Sequence, residues 1–209
     1  MDLTMQGVKS MTIKTRFILI TIFIISIAVS SEAGNIVGTV KAKGVKNSAD
    51  AIVYIEKIAG KTFAAPKEHA KMDQKNLKFH PHVLPILAGT TVDFLNSDDV
   101  LHNVFSPDPC ADKMNLGTWP KGQTRSYTYK TAGCVTVMLC NVHPEMESYV
   151  LALETPYYAV TAVDGKYEIK DVPAGKYELK IWHEKLKAQI VTIVVPEKGD
   201  VTADFEIHK

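Results

Sequence analysis

A chain of 209 residues, 46% of them hydrophobic and 22% charged, can bury one or two compact cores and does not belong with the disordered polypeptides. The formal net charge is +1, and beyond the first 33 residues the 21 basic and 21 acidic side chains cancel. This balance gives no electrostatic reason to expect a nucleic-acid partner, although unequal patches on a fold can still steer a protein partner.

At the N-terminus, Lys9, Lys14 and Arg16 precede "FILITIFIISIAV", an apolar run of 13 residues, and "SSEAG" then offers the small residues Ser31 and Ala33 ahead of Gly34. That order of basic, apolar and small-residue segments predicts a signal peptide over residues 1–33 and a mature chain beginning at Gly34. A start at Met11 shortens the basic segment and leaves this expectation unchanged. An uncleaved anchor is the competing assignment, but the run is well short of the roughly 20 residues that a membrane span needs. A periplasmic or otherwise exported location follows, in which disulfides persist.

From residue 34 onward the pattern is strand and turn. "NIVGTV", "AIVYIEK", "TTVDFLN", "RSYTYK", "VTVML", "SYVLAL", "KYEIK", "KYELKIW" and "QIVTIVV" are short and rich in Val, Ile, Thr and Tyr, with Gly, Pro, Asp and Asn between them. The spacing predicts an all-β chain of sandwiches or barrels. "CADKMNLGTW" is the one place where a turn of helix is expected. Asp164-Gly165 and Ala174-Gly175 mark tight turns on either side of "KYEIKDVP", so the C-terminal portion reads as hairpins.

The segment with the most chemistry is "LCNVHPEM", residues 139–146. If "CVTVML" is a strand, residues 134, 136, 138 and 140 share one face, and Cys140 lies where the strand enters a loop. Pro144 keeps that loop from continuing as strand. Cys140, His143 and Met146 can therefore converge from one short loop. A thiolate, an imidazole and a distant thioether form the ligand set of blue copper once a second histidine joins them. His102 in "NSDDVLHNVFSPD" supplies it, after a strand and a polar loop.

Taken with "LKFHPHVLPILAGTTVDFLNSD" and "LHNVF", the segment "CNVHPEM" resembles the cupredoxins, the plastocyanin and amicyanin group of blue copper proteins, over roughly residues 72–155. The Cys-x-x-His-Pro-x-Met spacing is similar to the short ligand loop of the amicyanins. The resemblance implies a Greek-key cupredoxin sandwich or barrel holding one type 1 copper. His102, Cys140 and His143 would be its equatorial ligands and Met146 its weak axial ligand. Asn103 would tie the two ligand loops together, and such bonds hold ligands in place and tune the metal. It also implies transient redox partners such as a cytochrome or dehydrogenase, docking on an apolar patch at His143 and Pro144. The plain alternative, a buried Cys and Met with two incidental histidines, leaves the order and spacing unexplained.

Of the remaining histidines, His80 and His82 lie two apart and are expected to share a strand face, either solvated or as a second metal contact. His69, His183 and His208 stand alone, and a structural or surface role is the default. With Cys140 assigned to copper, Cys110 and Cys134 are left as a disulfide pair suited to an exported chain, free thiols being the alternative.

The flanks carry a second resemblance. "DGKYEI" and "VPAGKYEL" are similar to the carboxypeptidase regulatory-like, transthyretin-like sandwich modules, whose opening segment looks like "NIVGTVKAKGVKNSADAIVYIEK" at residues 35–57. The organisation this implies is a copper domain at residues 66–155 inserted into a second small β-sandwich made of residues 34–65 and 156–209, since loop tips tolerate insertion. The rival gives "AIVYIEK" to the first cupredoxin strand and leaves a C-terminal appendage. With Cys140 facing the core, Val135, Val137 and Leu139 face outward as an apolar stripe, either the seat of the second sandwich or plain strand propensity.

Three functions compete on these residues: single-electron transfer, copper storage or delivery, and adhesion or carbohydrate binding by the sandwich with copper as an accessory. A metal saturated by four side chains offers no open position for catalysis, so no enzyme is expected. The absence of Cys-x-x-Cys-His excludes attached haem.

Overall fold

A computed structural model describes residues 33–209; the expected signal peptide lies outside the described residues except for Ala33. In chain order the strands are β1 (Ala33–Ala42), β2 (Ile52–Ile55), β3 (Ala70–Gln74), β4 (Phe79–His80), β5 (Val83–Leu87), β6 (Thr91–Asn96), β7 (His102–Phe105), β8 (Asn115–Trp119) and β9 (Thr124–Thr128). They continue as β10 (Cys134–Leu139), β11 (Glu147–Leu153), β12 (Tyr158–Val160), β13 (Lys166–Pro173), β14 (Gly175–His183), β15 (Leu186–Val195), β16 (Asp200–Thr202) and β17 (Phe205–Ile207). All nine stretches with strand-like composition lie on strands. The expected helical turn is a 3-10 turn at Pro109–Ala111, and the "NLGTW" that follows it is strand β8.

These strands form four sheets, which pack as two sandwiches. In the flanking sandwich, β1 is central to one sheet: it pairs antiparallel with β13 on one side and parallel with β16 and then β17 on the other. The facing sheet runs β12-β2-β14-β15. Alternation along β1 and β14 turns Ile36, Val40, Leu179 and Ile181 into a shared aliphatic core with Val53, Ile55 and Phe205. Two glycines make the closest approaches possible. A Cβ on Gly38 would meet the Ala203 carbonyl oxygen at 1.9 Å, where the chain between β16 and β17 crosses β1. Gly165, at φ +80° in the turn before β13, has the Val40 carbonyl 2.0 Å from where its Cβ would be.

The central sandwich consists of β5-β11-β10-β7-β8 facing β4-β3-β6-β9. Its core includes Met72, Phe94, Val104, Trp119, Met138 and Val150. Cys110 in the 3-10 turn and Cys134 at the start of β10 are joined by a disulfide, which fastens the segment after β7 to β10.

The two inner sheets meet face to face through Ile52 on β2 and Val83, Leu151 and Leu153 on β5 and β11, with Tyr54, Tyr149, Tyr158 and Trp182 around them. Burying each of these aliphatic side chains contributes roughly 1.5–3 kcal/mol. The stripe Val135, Val137 and Leu139 is not this seat: Val135 remains 38% exposed and the other two half-buried. The flanking sheet sits over β5 and β11, so β10, one strand further in, is displaced from the contact.

His80 and His82 do not share a strand face. β4 ends at His80, the His80–Pro81 peptide is cis, and β5 begins only at Val83. His80 Nε2 lies 3.1 Å from the Lys75 carbonyl, whereas His82 Nε2 reaches across the junction to Glu184 at 3.2 Å. Of the lone histidines, His69 pairs with Asp93 at 2.9 Å, His208 with Glu206 at 3.4 Å, and His183 is buried with its Nδ1 accepting the Lys185 amide. Among the described residues, no helix is long and apolar enough to cross a membrane.

Candidate metal centre

Strand alternation delivers the sulfur. Along β10, Cys134, Thr136 and Met138 are at most 5% exposed, and Cys140, one residue past the strand, keeps the same inward phase at 2%. The chain then turns through Pro144, the Met146 amide donating to the His143 carbonyl at 3.0 Å, before β11 starts at Glu147. Met146 is fully buried and His143 only partly so.

The second contribution comes from β7, the neighbour of β10. His102 opens that strand and is completely buried. Its Nδ1 faces the Nδ1 of His143 at 3.1 Å, with the ring centroids 4.8 Å apart. One ligand atom each of His102, Cys140 and His143 falls within 4.8 Å of the others.

Neighbouring groups hold these side chains still. The Asn103 amide donates to Cys140 Sγ at 3.4 Å, and Asn103 Oδ1 accepts the Asn141 amide at 3.3 Å. Asn103 Nδ2 donates to Asn115 Oδ1 at 2.9 Å and to the Gly117 carbonyl at 2.7 Å. Asn103 therefore links β7, β8 and the Cys140 loop, and it completes its own hydrogen bonds while buried.

Behind His102 stands Asp98, which no motif in the sequence marks. Its Oδ2 is 2.9 Å from His102 Nε2. Burial pushes the Asp98 carboxyl up, but the Leu77 amide, the His102 imidazole and the Asn76 amide together outweigh it and hold the group below the usual carboxylate range. The one sequence signal was its position four residues before His102, which the adjacent Asp99, three residues before, nearly shares.

Two imidazole nitrogens facing each other beside a cysteine sulfur, with no cationic side chain in the cluster, are a donor set for a metal ion. Sulfur with two imidazoles suits copper, and a buried thioether close by in the chain adds a soft donor. Exposed apolar side chains adjoin both histidines in the sequence: Val100 and Leu101, just before His102, are 45% and 53% exposed, and Val142, just before His143, is 45% exposed.

No protein-family model and no curated protein matches the chain. Solved structures do. A purple cupredoxin from Nitrosopumilus maritimus is 24% identical over 40% of this chain and 98% of its own, with a TM-score of 0.36. A reduced amicyanin variant is 23% identical over 48% of this chain and 97% of its own, with a TM-score of 0.39. A copper-containing nitrite reductase from Thermus scotoductus SA-01 is 23% identical over 47% of this chain but 25% of its own, with a TM-score of 0.38.

Proposed function

We propose that this protein is an exported type 1 copper protein that carries single electrons between redox partners. The observation that carries the reading is the convergence of His102, Cys140 and His143 within 4.8 Å from two adjacent strands. In this reading the three are the equatorial ligands of one copper per chain, and the buried Met146 is the weak axial ligand. Bound copper supplies a one-electron couple between Cu(I) and Cu(II). The chain's part is to keep the donor atoms in place through that change. Asn103 does so by bonding the Cys140 sulfur and the Asn141 amide from a fixed position on β7.

Partly exposed His143, with exposed Val142 beside it in the sequence and exposed Val100 and Leu101 just before its neighbour His102, is the proposed point of electron entry and exit, facing a cytochrome or a dehydrogenase. Small apolar contacts of this kind suit transient encounters. Copper storage or delivery is the second reading. A fully buried His102 and a nearly buried Cys140 favour a fixed redox centre over ready exchange of metal.

The organisation we propose is a copper domain at residues 66–155 inserted into a split transthyretin-like sandwich formed by residues 34–65 and 156–209, behind a cleaved signal at 1–33. Pairing of β1 with β13 and of β2 with β12 and β14 supports it, because both N-terminal strands find their partners only beyond the centre.

The visible and electron paramagnetic resonance spectra of the copper-loaded protein test the function. An intense thiolate-to-copper band with reversible voltammetry is expected. A colourless copper adduct that chelators strip within seconds would favour delivery instead.

A further inference from the structure

The hairpin between β3 and β4 turns through Asn76 and Leu77, both in the left-handed region at φ +55° and +56°, with the Lys75 amide donating to the Lys78 carbonyl at 2.9 Å. Two consecutive left-handed residues make the turn that suits a tight hairpin, but its usual second residue is glycine. A leucine there bears a steric cost that asparagine or glycine largely avoids. The same conformation aims two successive amides at one carboxylate: Asn76 N–H donates to Asp98 Oδ1 at 2.7 Å and Leu77 N–H to Asp98 Oδ2 at 2.9 Å. Asp98 is anchored from its other side too, its own amide donating to Asn96 Oδ1 at 2.9 Å. So fixed, it places Oδ2 2.9 Å from His102 Nε2.

A neutral imidazole carries one N–H, and a carboxylate can only accept. The nitrogen facing Asp98 must therefore be the protonated one. The lone pair is left on Nδ1, which faces His143 Nδ1 and the Cys140 sulfur.

From this geometry we propose that Asp98, held by the Asn76-Leu77 turn, is a positioning residue of the centre that fixes His102 in the tautomer able to bind metal. The proposal deepens the copper reading and rests on it for its consequence, while the tautomer itself is a property of the metal-free chain. Its structural logic is that three donors, the amides of Asn76 and Leu77 and the His102 ring, converge on two oxygens. An amide in place of the carboxylate has only one oxygen to accept with. Its NH2 must then oppose either the Asn76 amide or both the Leu77 amide and His102. In the second orientation it donates to Nε2 and drives the proton to Nδ1, the nitrogen the metal needs. In the first orientation its oxygen still accepts the Nε2 proton, so Asp98→Asn should release the tautomer only in part, whereas Asp98→Ala, which removes the acceptor altogether, should release it fully. A merely structural aspartate predicts a loss of stability in both variants with the His102 proton still on Nε2.

The test is nitrogen NMR of the His102 ring in metal-free protein, paired with copper titration and the reduction potential of the loaded form. The parent should hold its proton on Nε2. Asp98→Ala should shift population to Nδ1–H and weaken copper binding by about 10- to 100-fold, the usual effect of losing such a partner, and Asp98→Asn should do so to a smaller extent. The reduction potential of Asp98→Ala should rise, because a less electron-rich imidazole supports Cu(II) less well, while the Cys140 absorption remains. A parent protonated on Nδ1, or an Asp98→Ala protein with unchanged tautomer and copper affinity, would overturn the proposal. A parent with no thiolate-to-copper band would instead defeat the copper reading, and the metal-free NMR measurement would still decide the role of Asp98.

Discussion

In the flanking sandwich the shared core is Ile36, Val40, Val53, Ile55, Leu179 and Ile181, each at most 1% exposed, whereas the central sandwich buries Gln74, Asn96, His102 and Asn103 among Met72, Met138 and Met146. The first core is held by apolar area, so its losses are expected to scale with the volume removed. The second holds polar groups whose worth depends on complete hydrogen bonding, so a single missing partner is expected to disturb the proposed ligands more than the fold. Substitutions in the first should be read in stability, and those in the second in the properties of the proposed copper centre.

The largest expected effect is at the centre. Cys140→Ser should abolish the thiolate-to-copper absorption, while Met146→Leu should keep a coloured site and raise its potential. Visible spectroscopy decides, and an intact blue band in the Cys140 variant would break the ligand assignment. The counterpart in the other sandwich is removal of its N-terminal strands. Residues 156–209 produced alone are expected to remain unfolded, because β13 loses β1 and β14 loses β2. A well-dispersed, cooperatively unfolding fragment would show that the flanking sandwich does not depend on residues 34–65.

Replacing Cys110 and Cys134 together by Ala should lower stability by about 3 to 4 kcal/mol, from the chain entropy of the loop the disulfide closes. Denaturant unfolding would measure it. Unchanged copper absorption in the same variant would sharpen the contrast, since the bridge stabilises the central sandwich without touching a ligand. Smaller still, Pro144→Glu should slow electron exchange with a partner protein severalfold by placing a charge in a small docking contact, with the spectrum intact. Stopped-flow rates equal to the parent's would remove His143 as the exit.

The smallest effect belongs to the junction between the sandwiches. Burial pushes the Glu184 carboxyl up, but its bonds to Lys185 and His82 outweigh this and hold it below the usual range. A carboxylate with its folded pKa lowered stabilises the fold at neutral pH and loses that contribution as pH falls through the window from the unfolded value to the folded one. Glu184→Gln should therefore be slightly less stable than the parent at pH 7, and the difference should vanish at acid pH. Thermal melts across that range would show it, and a pH-independent difference would contradict it.

Much of this was legible in the residues. The strand stretches announced themselves because β-branched and aromatic runs of five to seven residues carry both composition and alternation. β4, β12, β16 and β17 are only two or three residues long, too short for any period, and exist because a longer strand lies alongside them. Cys140, His143 and Met146 could be grouped because they share one short loop. His102 joined them because the ligand set lacked a second histidine and one follows a strand and a polar loop, a choice that the resemblance of motif then supported. The place where the sandwiches meet was not legible, because Val135 and Leu151 are equally apolar in sequence and differ in which strand lies under the second sheet.

Asp98 and Asp99 mark the boundary between the two kinds of information. As sequence they are adjacent, chemically identical and almost equally far from His102. In the fold, Asp98 receives two turn amides and faces the His102 ring, while Asp99 is 86% exposed and meets Lys121 at 2.8 Å. The sequence determined which donor atoms the chain owns and which of them lie close along it. Only the tertiary structure decided which carboxylate meets the histidine, because a hydrogen bond is made by position and direction in space, and two neighbouring residues of an irregular loop can point opposite ways.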